Sequence, residues 1–218
     1  MRRVLPASVL MWGSPYRPLP AYLLSRAPST DPAAFPMSSS DRAIDYDPSV
    51  AHFAVSKRQF LEAHKDAPYA LIATSALVFD ARGRILLLQR AAHDSHPGKW
   101  EPPGGAVDED DVTILHAAAR ELSEETGLEA GRIGRPVGEP HLFKRSNGDT
   151  VCRFNFAVYV AADKDGVPSV RLDPNEHQNF VWATEDEVKT EKASNHDAEL
   201  KFVPGEVKQT VLLAFQQT

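Results

Sequence analysis

The 218-residue chain holds a single cysteine, Cys152, so no disulfide can close within it and an apolar core must carry the fold. Cys152 sits in an apolar stretch, where a small buried side chain is expected rather than a nucleophile. A surplus of positive charge is missing too: 24 Lys and Arg stand against 30 Asp and Glu, a net charge of −6. Without a basic field to grip a phosphate backbone, nucleic acid is not an expected partner. No apolar run approaches the roughly 20 residues that span a bilayer, so a membrane is not expected either. Internal repeats, a P-loop and a dinucleotide-binding glycine fingerprint are also absent, which removes those nucleotide-binding architectures.

Acidic residues are lacking at the start. Before Asp31 the charges are Arg2, Arg3, Arg17 and Arg26, and prolines at 6, 15, 18, 20, 28, 32 and 36 forbid a long helix. Residues 1–50 are therefore expected to be a disordered extension, with a mitochondrial transit segment as the alternative and Met37 as a second possible start. The expected location is cytoplasmic, or mitochondrial if the segment is read as a transit signal. One folded domain is expected over 51–218.

Within that domain, Ser56 is placed to cap a short helix carrying Phe60 and Leu61. Tyr69 to Phe79 is rich in β-formers and predicts a central strand. Asp80 to Gly83 predicts a turn, and Arg84 to Gln89 a second strand returning as a hairpin. Val137–Lys144 and Val151–Ala161 predict two more strands around the turn signal Asn147-Gly148, with Phe154, Phe156, Val158 and Val160 facing inward. Phe180 to Ala183 predicts a strand before a short helix opened by Thr184. Val207, Val211, Leu212 and Phe215 form the apolar stripe of a last helix.

The stretch Pro103 to Leu128 carries the chemistry. At about 100° per residue, Leu115, Ala118, Ala119 and Leu122 share one arc of a helix, and Glu121, Glu124 and Glu125 share the next. Like charges at these spacings weaken a helix unless something binds them, and a hard cation such as Mg²⁺ or Mn²⁺ does so through oxygen. Arg120, four residues before Glu124, can pair with it. Gly127 then stops the helix, and Asp111 or Thr113 can cap its start. After the second strand, Arg90 and Lys99 are candidates for a substrate phosphate, the planar guanidinium being suited to bidentate contact. His93 and His96 lack the neighbouring cysteines of a zinc site. Trp100 is expected as a packed strand residue.

Gly105, Arg120-Glu121-Leu122, Glu124-Glu125 and Gly127-Leu128 resemble the Nudix box, G-x5-E-x7-R-E-U-x-E-E-x-G-U with U bulky and aliphatic. From Arg120 onward the match is complete. Upstream, Asp111 stands for the Glu that braces the motif in the family, and eight residues instead of seven separate it from Arg120. The resemblance implies an α/β fold, a Nudix-type α/β/α sandwich around a mixed sheet. It implies hydrolysis of a diphosphate linkage in a nucleoside diphosphate joined to another group, with a small-molecule partner and Mg²⁺ or Mn²⁺ as cofactor. The metal would be held by Glu121, Glu124, Glu125 and a backbone carbonyl of Gly104 or Gly105. The polar loop before Phe180 resembles one that carries a further carboxylate in the family. Glu176 is the candidate for a general base that reaches over the site without being committed to metal, with Asp173 behind it, and His177 is expected to face solvent or substrate. The alternatives are a degenerate Nudix domain that binds a nucleotide or protein without cleavage, and a prenyl diphosphate isomerase using Cys152. Which diphosphate is cleaved, and the oligomeric state, are left open.

Overall fold

The computed structural model describes residues 43–194 and 198–217. The expected extension, with its disorder, transit and Met37 readings, lies outside the described residues as far as 42. The folded part reaches back past the expected boundary at 50. Asp47 N–H donates to Ile133 O at 2.8 Å and Ile133 N–H to Asp45 O at 2.9 Å. The 3-10 helix Pro48–Phe53 buries Val50 and Phe53. Its proline-led start reads like the proline-rich run before it, which hid these apolar anchors from a compositional boundary.

Helix α1 (Lys57–Ala63) opens with a capping box: Ser56 Oγ accepts from Gln59 N–H while the Gln59 side chain accepts from Ser56 N–H. Its buried Phe60 joins Phe53, Phe154 and Phe156, with ring centroids 4.7–5.7 Å apart. Those last two phenylalanines belong to β6 (Thr150–Val160), the centre of a mixed sheet. Strand β1 (Leu71–Val78) runs parallel to β6, while β4 (Ala130–Pro136) and β5 (His141–Lys144) run antiparallel to it. A second, antiparallel sheet places β2 (Ile85–Arg90) between β3 (Trp100–Glu101) and β7 (His177–Ala183).

The expected β1–β2 hairpin does not form. The two strands meet at a single bridge, Phe79 to Ile85. The Asp80 carboxylate accepts from the backbone N–H groups of Arg82 and Arg84 at 2.9 Å each and from Arg84 Nε at 2.8 Å, a corner that turns β2 out of the first sheet. Both strands are buried on both faces, from Ile72 to Val78 and from Ile85 to Leu88. Each therefore gains more inside a layered core than side by side with one face wet. The other side of β1 is paired instead with the glycine loop: Thr74 N–H donates to Gly105 O, Ala76 N–H to Pro103 O, and Val107 N–H to Ile72 O, at 2.8–2.9 Å.

Alternation along β6 divides the fold. Cys152, Phe154, Phe156 and Val158 are buried on the helix side. Arg153, Asn155 and Ala157 face the other way, in register with Ala73, Ser75 and Leu77 of β1. Over that second face lies the core of Leu77, Ile85, Leu87, Trp100, Val181, Val211 and Ala214, contributed by the second sheet and by α4 (Val207–Phe215). Trp100 is fully buried as a packed strand residue. Thr184 caps α3 (Glu185–Thr190), and β8 (Lys192–Ala193) pairs with β9 (Ala198–Glu199) beyond it. The result is an α/β fold with a mixed sheet flanked by helices.

Candidate active site

Helix α2 (Ile114–Thr126) is capped by Thr113, whose side chain accepts from His116 N–H, and is ended by Gly127 at φ 68°. Ile114, Leu115, Ala117, Ala118 and Leu122 bury its apolar face. The glycine loop lies against it. Gly104 adopts φ +150°, and a Cβ there would stand 2.2 Å from Thr74 O, so only glycine lets the loop close on β1. A Cβ on Gly105 would stand 2.5 Å from Glu121 Oε2. Gly104 N–H donates to Glu125 Oε2 at 2.8 Å. Gly105 O is used by Thr74 N–H, which leaves the Gly104 carbonyl outside that ladder.

The three box glutamates sit in different surroundings. Arg120 donates through Nε and Nη2 to both Asp111 oxygens at 2.9 Å, through Nη1 to Glu121 at 3.0 Å and Glu124 at 2.9 Å, and through Nη2 to Ala106 O at 3.0 Å. Asp111 also accepts from Asp108 N–H at 2.7 Å. Asp111 thus braces the motif from its shifted position, the loop absorbing the extra residue. Glu124 is the most exposed of the three. Burial pushes the Glu121 carboxyl up to about 7, with Glu124 and Glu176 acting in the same direction and Arg120 opposing them.

Glu125 is different. It is 4% exposed, and burial holds its carboxyl well above the ordinary carboxylate range, against the Gly104 hydrogen bond and with Glu121, Glu101 and Glu176 adding repulsion. Ligand atoms of Glu125, Glu176 and His177 lie within 4.8 Å of one another. No ion pair is formed by Glu125 or Glu176 among the described residues. The loop of Glu176, folded through Glu176 N–H to Asp173 O and Ala91 N–H to Glu176 O, brings this carboxylate over the helix beside Glu125. His177 does not face solvent. It is 3% exposed, and burial keeps its ring pKa below the ordinary 6.5. It shares the parity of Asn179 and Val181 on β7, where the pairing with β2 slips at Gln89 and Arg90.

Beside this cluster opens a pocket of about 660 Å³ whose walls include Ser75, Arg90, Glu101, Lys144, Arg145, Arg153 and Asn155. Buried Glu101 holds it together, paired with Arg90 Nη1 and, at 3.8 Å, with Arg153 Nη1. Arg90 also pairs with Asp94, so its guanidinium is anchored before any substrate arrives. Arg153 lies 5.0 Å over the Phe143 ring. Lys99 does not line this pocket: its carbonyl accepts from Arg90 N–H in the loop, and the next residue is drawn into the core. His93 and His96 do not meet, since His93 Nε2 bonds Asn175 O at 2.7 Å and His96 is on the pocket wall.

The NUDIX domain family model matches residues 70–203. The chain belongs to the Nudix family. Among relatives, it is 32% identical over 117 residues to a CTP pyrophosphohydrolase of Escherichia coli K12, covering 54% of this chain and 78% of that protein. It is 30% identical over 142 residues to an isopentenyl-diphosphate Delta-isomerase of Nocardia farcinica, covering 65% and 79%. In structure it resembles a MutT protein of Methanosarcina mazei Go1, with a TM-score of 0.50, 26% identity, and coverage of 70% and 96%. The Nudix box was legible from its spacing. Glu101, Arg153 and Asn155 were not singled out as site residues; charged or amide residues inside strands otherwise apolar were the available signal.

Proposed function

We propose that this Nudix pyrophosphohydrolase requires Mg²⁺ or Mn²⁺ and cleaves the diphosphate linkage of a nucleoside diphosphate joined to another group, or of a related nucleotide polyphosphate. Products would be a nucleoside monophosphate and a phosphorylated remainder. The observation that carries this reading is a buried Glu125 grouped with Glu176 and His177, without an ion pair, beside a pocket walled by cationic side chains. An uncompensated buried carboxylate costs several kcal/mol of desolvation unless a cation meets it, so the donor set fits a divalent ion. Bound there, the ion would act as a Lewis acid on the phosphate oxygens and ease formation of hydroxide from water. Glu176, the exposed member of the group, is placed to accept the proton of the attacking water. Arg153 and Arg90, fixed by Glu101, orient the anionic substrate, and Lys144 and Arg145 at the same pocket hold its outer charge.

The feature that favoured a binding module was the substitution at Asp111, and Asp111 makes the bracing contacts itself. The isomerase chemistry of the Nocardia relative is not carried over either. Cys152 is buried on the helix face of β6, opposite in parity to the pocket residues, and burial pushes its thiol up to about 12 although Tyr69 bonds it. The test is a panel of CTP and other nucleoside triphosphates, ADP-ribose, NADH, coenzyme A and dinucleoside polyphosphates, assayed with each ion and in EDTA. Ion-dependent release of a nucleoside monophosphate from at least one compound is expected. No release from any, or release unaffected by EDTA, contradicts the reading.

A further inference from the structure

We infer that His177 is itself a metal ligand, so that His177 and Glu125 give the ion a mixed nitrogen and oxygen site that selects Mn²⁺ over Mg²⁺, with Glu176 beside it as the base. The inference rests on the metal dependence proposed above and goes beyond it. Two ligands on opposite sides of one ion, each about 2.1 Å from it, stand roughly 4.2 Å apart. The ligand atoms of Glu125 and His177, within 4.8 Å of each other, can therefore gather on a single ion after small side-chain adjustments, with Glu176 equally near to reach a water on it. The second observation is the ring itself. Nδ1 of His177 is buried and has no hydrogen-bond partner, whereas a histidine held only by packing ordinarily satisfies its buried nitrogens. Its backbone is fixed by pairing with Arg90 at the slip in the β2–β7 ladder, so the imidazole is presented from a strand rather than a mobile loop. Mg²⁺ prefers an all-oxygen octahedron and keeps several waters, while imidazole nitrogen suits first-row transition ions. Replacing one oxygen donor by nitrogen thus shifts preference without abolishing Mg²⁺ binding.

Spin-echo spectroscopy of the Mn²⁺-loaded full chain, with calorimetric titration of Mn²⁺ and of Mg²⁺, tests this. The expected result is ¹⁴N coupling to Mn²⁺ and binding of Mn²⁺ at least about tenfold tighter than Mg²⁺. In His177→Gln the coupling should vanish and the ratio fall toward one while Mg²⁺ binding persists. Should that variant fail to fold, ¹⁵N labelling of histidine in the unchanged protein must convert the coupling to that of ¹⁵N. Mn²⁺-dependent turnover without nitrogen coupling, or an unchanged ratio in folded His177→Gln, overturns this inference alone. Failure of the wild type to bind either ion overturns it together with the metal reading beneath it.

Discussion

Arg120 and Glu125 stand five residues apart on the same stretch of α2, and their surroundings are opposites. One guanidinium gathers Asp111, Glu121, Glu124 and the Ala106 carbonyl; one carboxylate lies beside another carboxylate and an imidazole and enters no ion pair among the described residues. The first region is electrostatically closed and sets the loop's shape. In the second, burial favours the protonated form of Glu125, so that its charge returns only where a cation meets it. Within one motif Glu121 and Glu124 meet Arg120 while Glu125 meets Glu176 and His177, although the three glutamates look alike in the sequence.

The sharpest way to break that contrast is Glu125→Gln, which keeps the Gly104 contact but removes the charge. Turnover is expected to fall about a thousandfold, or about 4 kcal/mol of transition-state stabilisation, with an unchanged circular dichroism spectrum. Next is the pH dependence of the metal-free protein. Glu121 has its carboxyl raised from 4.5 to about 7 in the folded state, so its contribution to stability is full below pH 4.5 and is lost as pH rises through 7. The loss amounts to about 3 kcal/mol. Urea unfolding of wild type and Glu121→Gln in EDTA at pH 5 and pH 8 checks it: the wild type should lose more stability than the variant between the two. Asp94 and Glu187, both held at about 2, are ionised throughout that window and do not enter the difference. Glu176→Gln should lower kcat about a hundredfold, at the modest end for losing a general base because solvent reaches the site. Asp111→Asn is the smallest change: one arm of the bidentate clamp weakens, and about 1–2 kcal/mol of stability should go, with kcat falling less than in Glu125→Gln.

The box was readable because its residues act through helix spacing, which a linear sequence displays directly. Gly127, Thr113 as cap and the buried Leu115–Leu122 face follow from the same periodicity. The β1–β2 hairpin was misread because a turn signal says that the chain reverses, not which sheet receives the next strand. Glu101, Arg153 and His177 come from β3, β6 and β7 and meet only through tertiary packing. His177 illustrates the difficulty: counting back by twos from buried Val181 puts it on the inner face, yet its position beside a polar loop suggests exposure. The placement of Arg90 was legible, but its commitment to Glu101 and Asp94 depended on a contact eleven residues away that no local pattern announces.

The central claim is that cleavage depends on a divalent ion held at Glu125. It is tested most directly by following nucleoside monophosphate release from the best substrate of the panel while Mn²⁺ is removed with EDTA and added back, in wild type and Glu125→Gln side by side. The account predicts that wild-type release stops in EDTA and returns in full with the ion, while the folded variant stays near its residual rate at every ion concentration. Equal rates in EDTA and Mn²⁺, or a variant that matches the wild type, would contradict it.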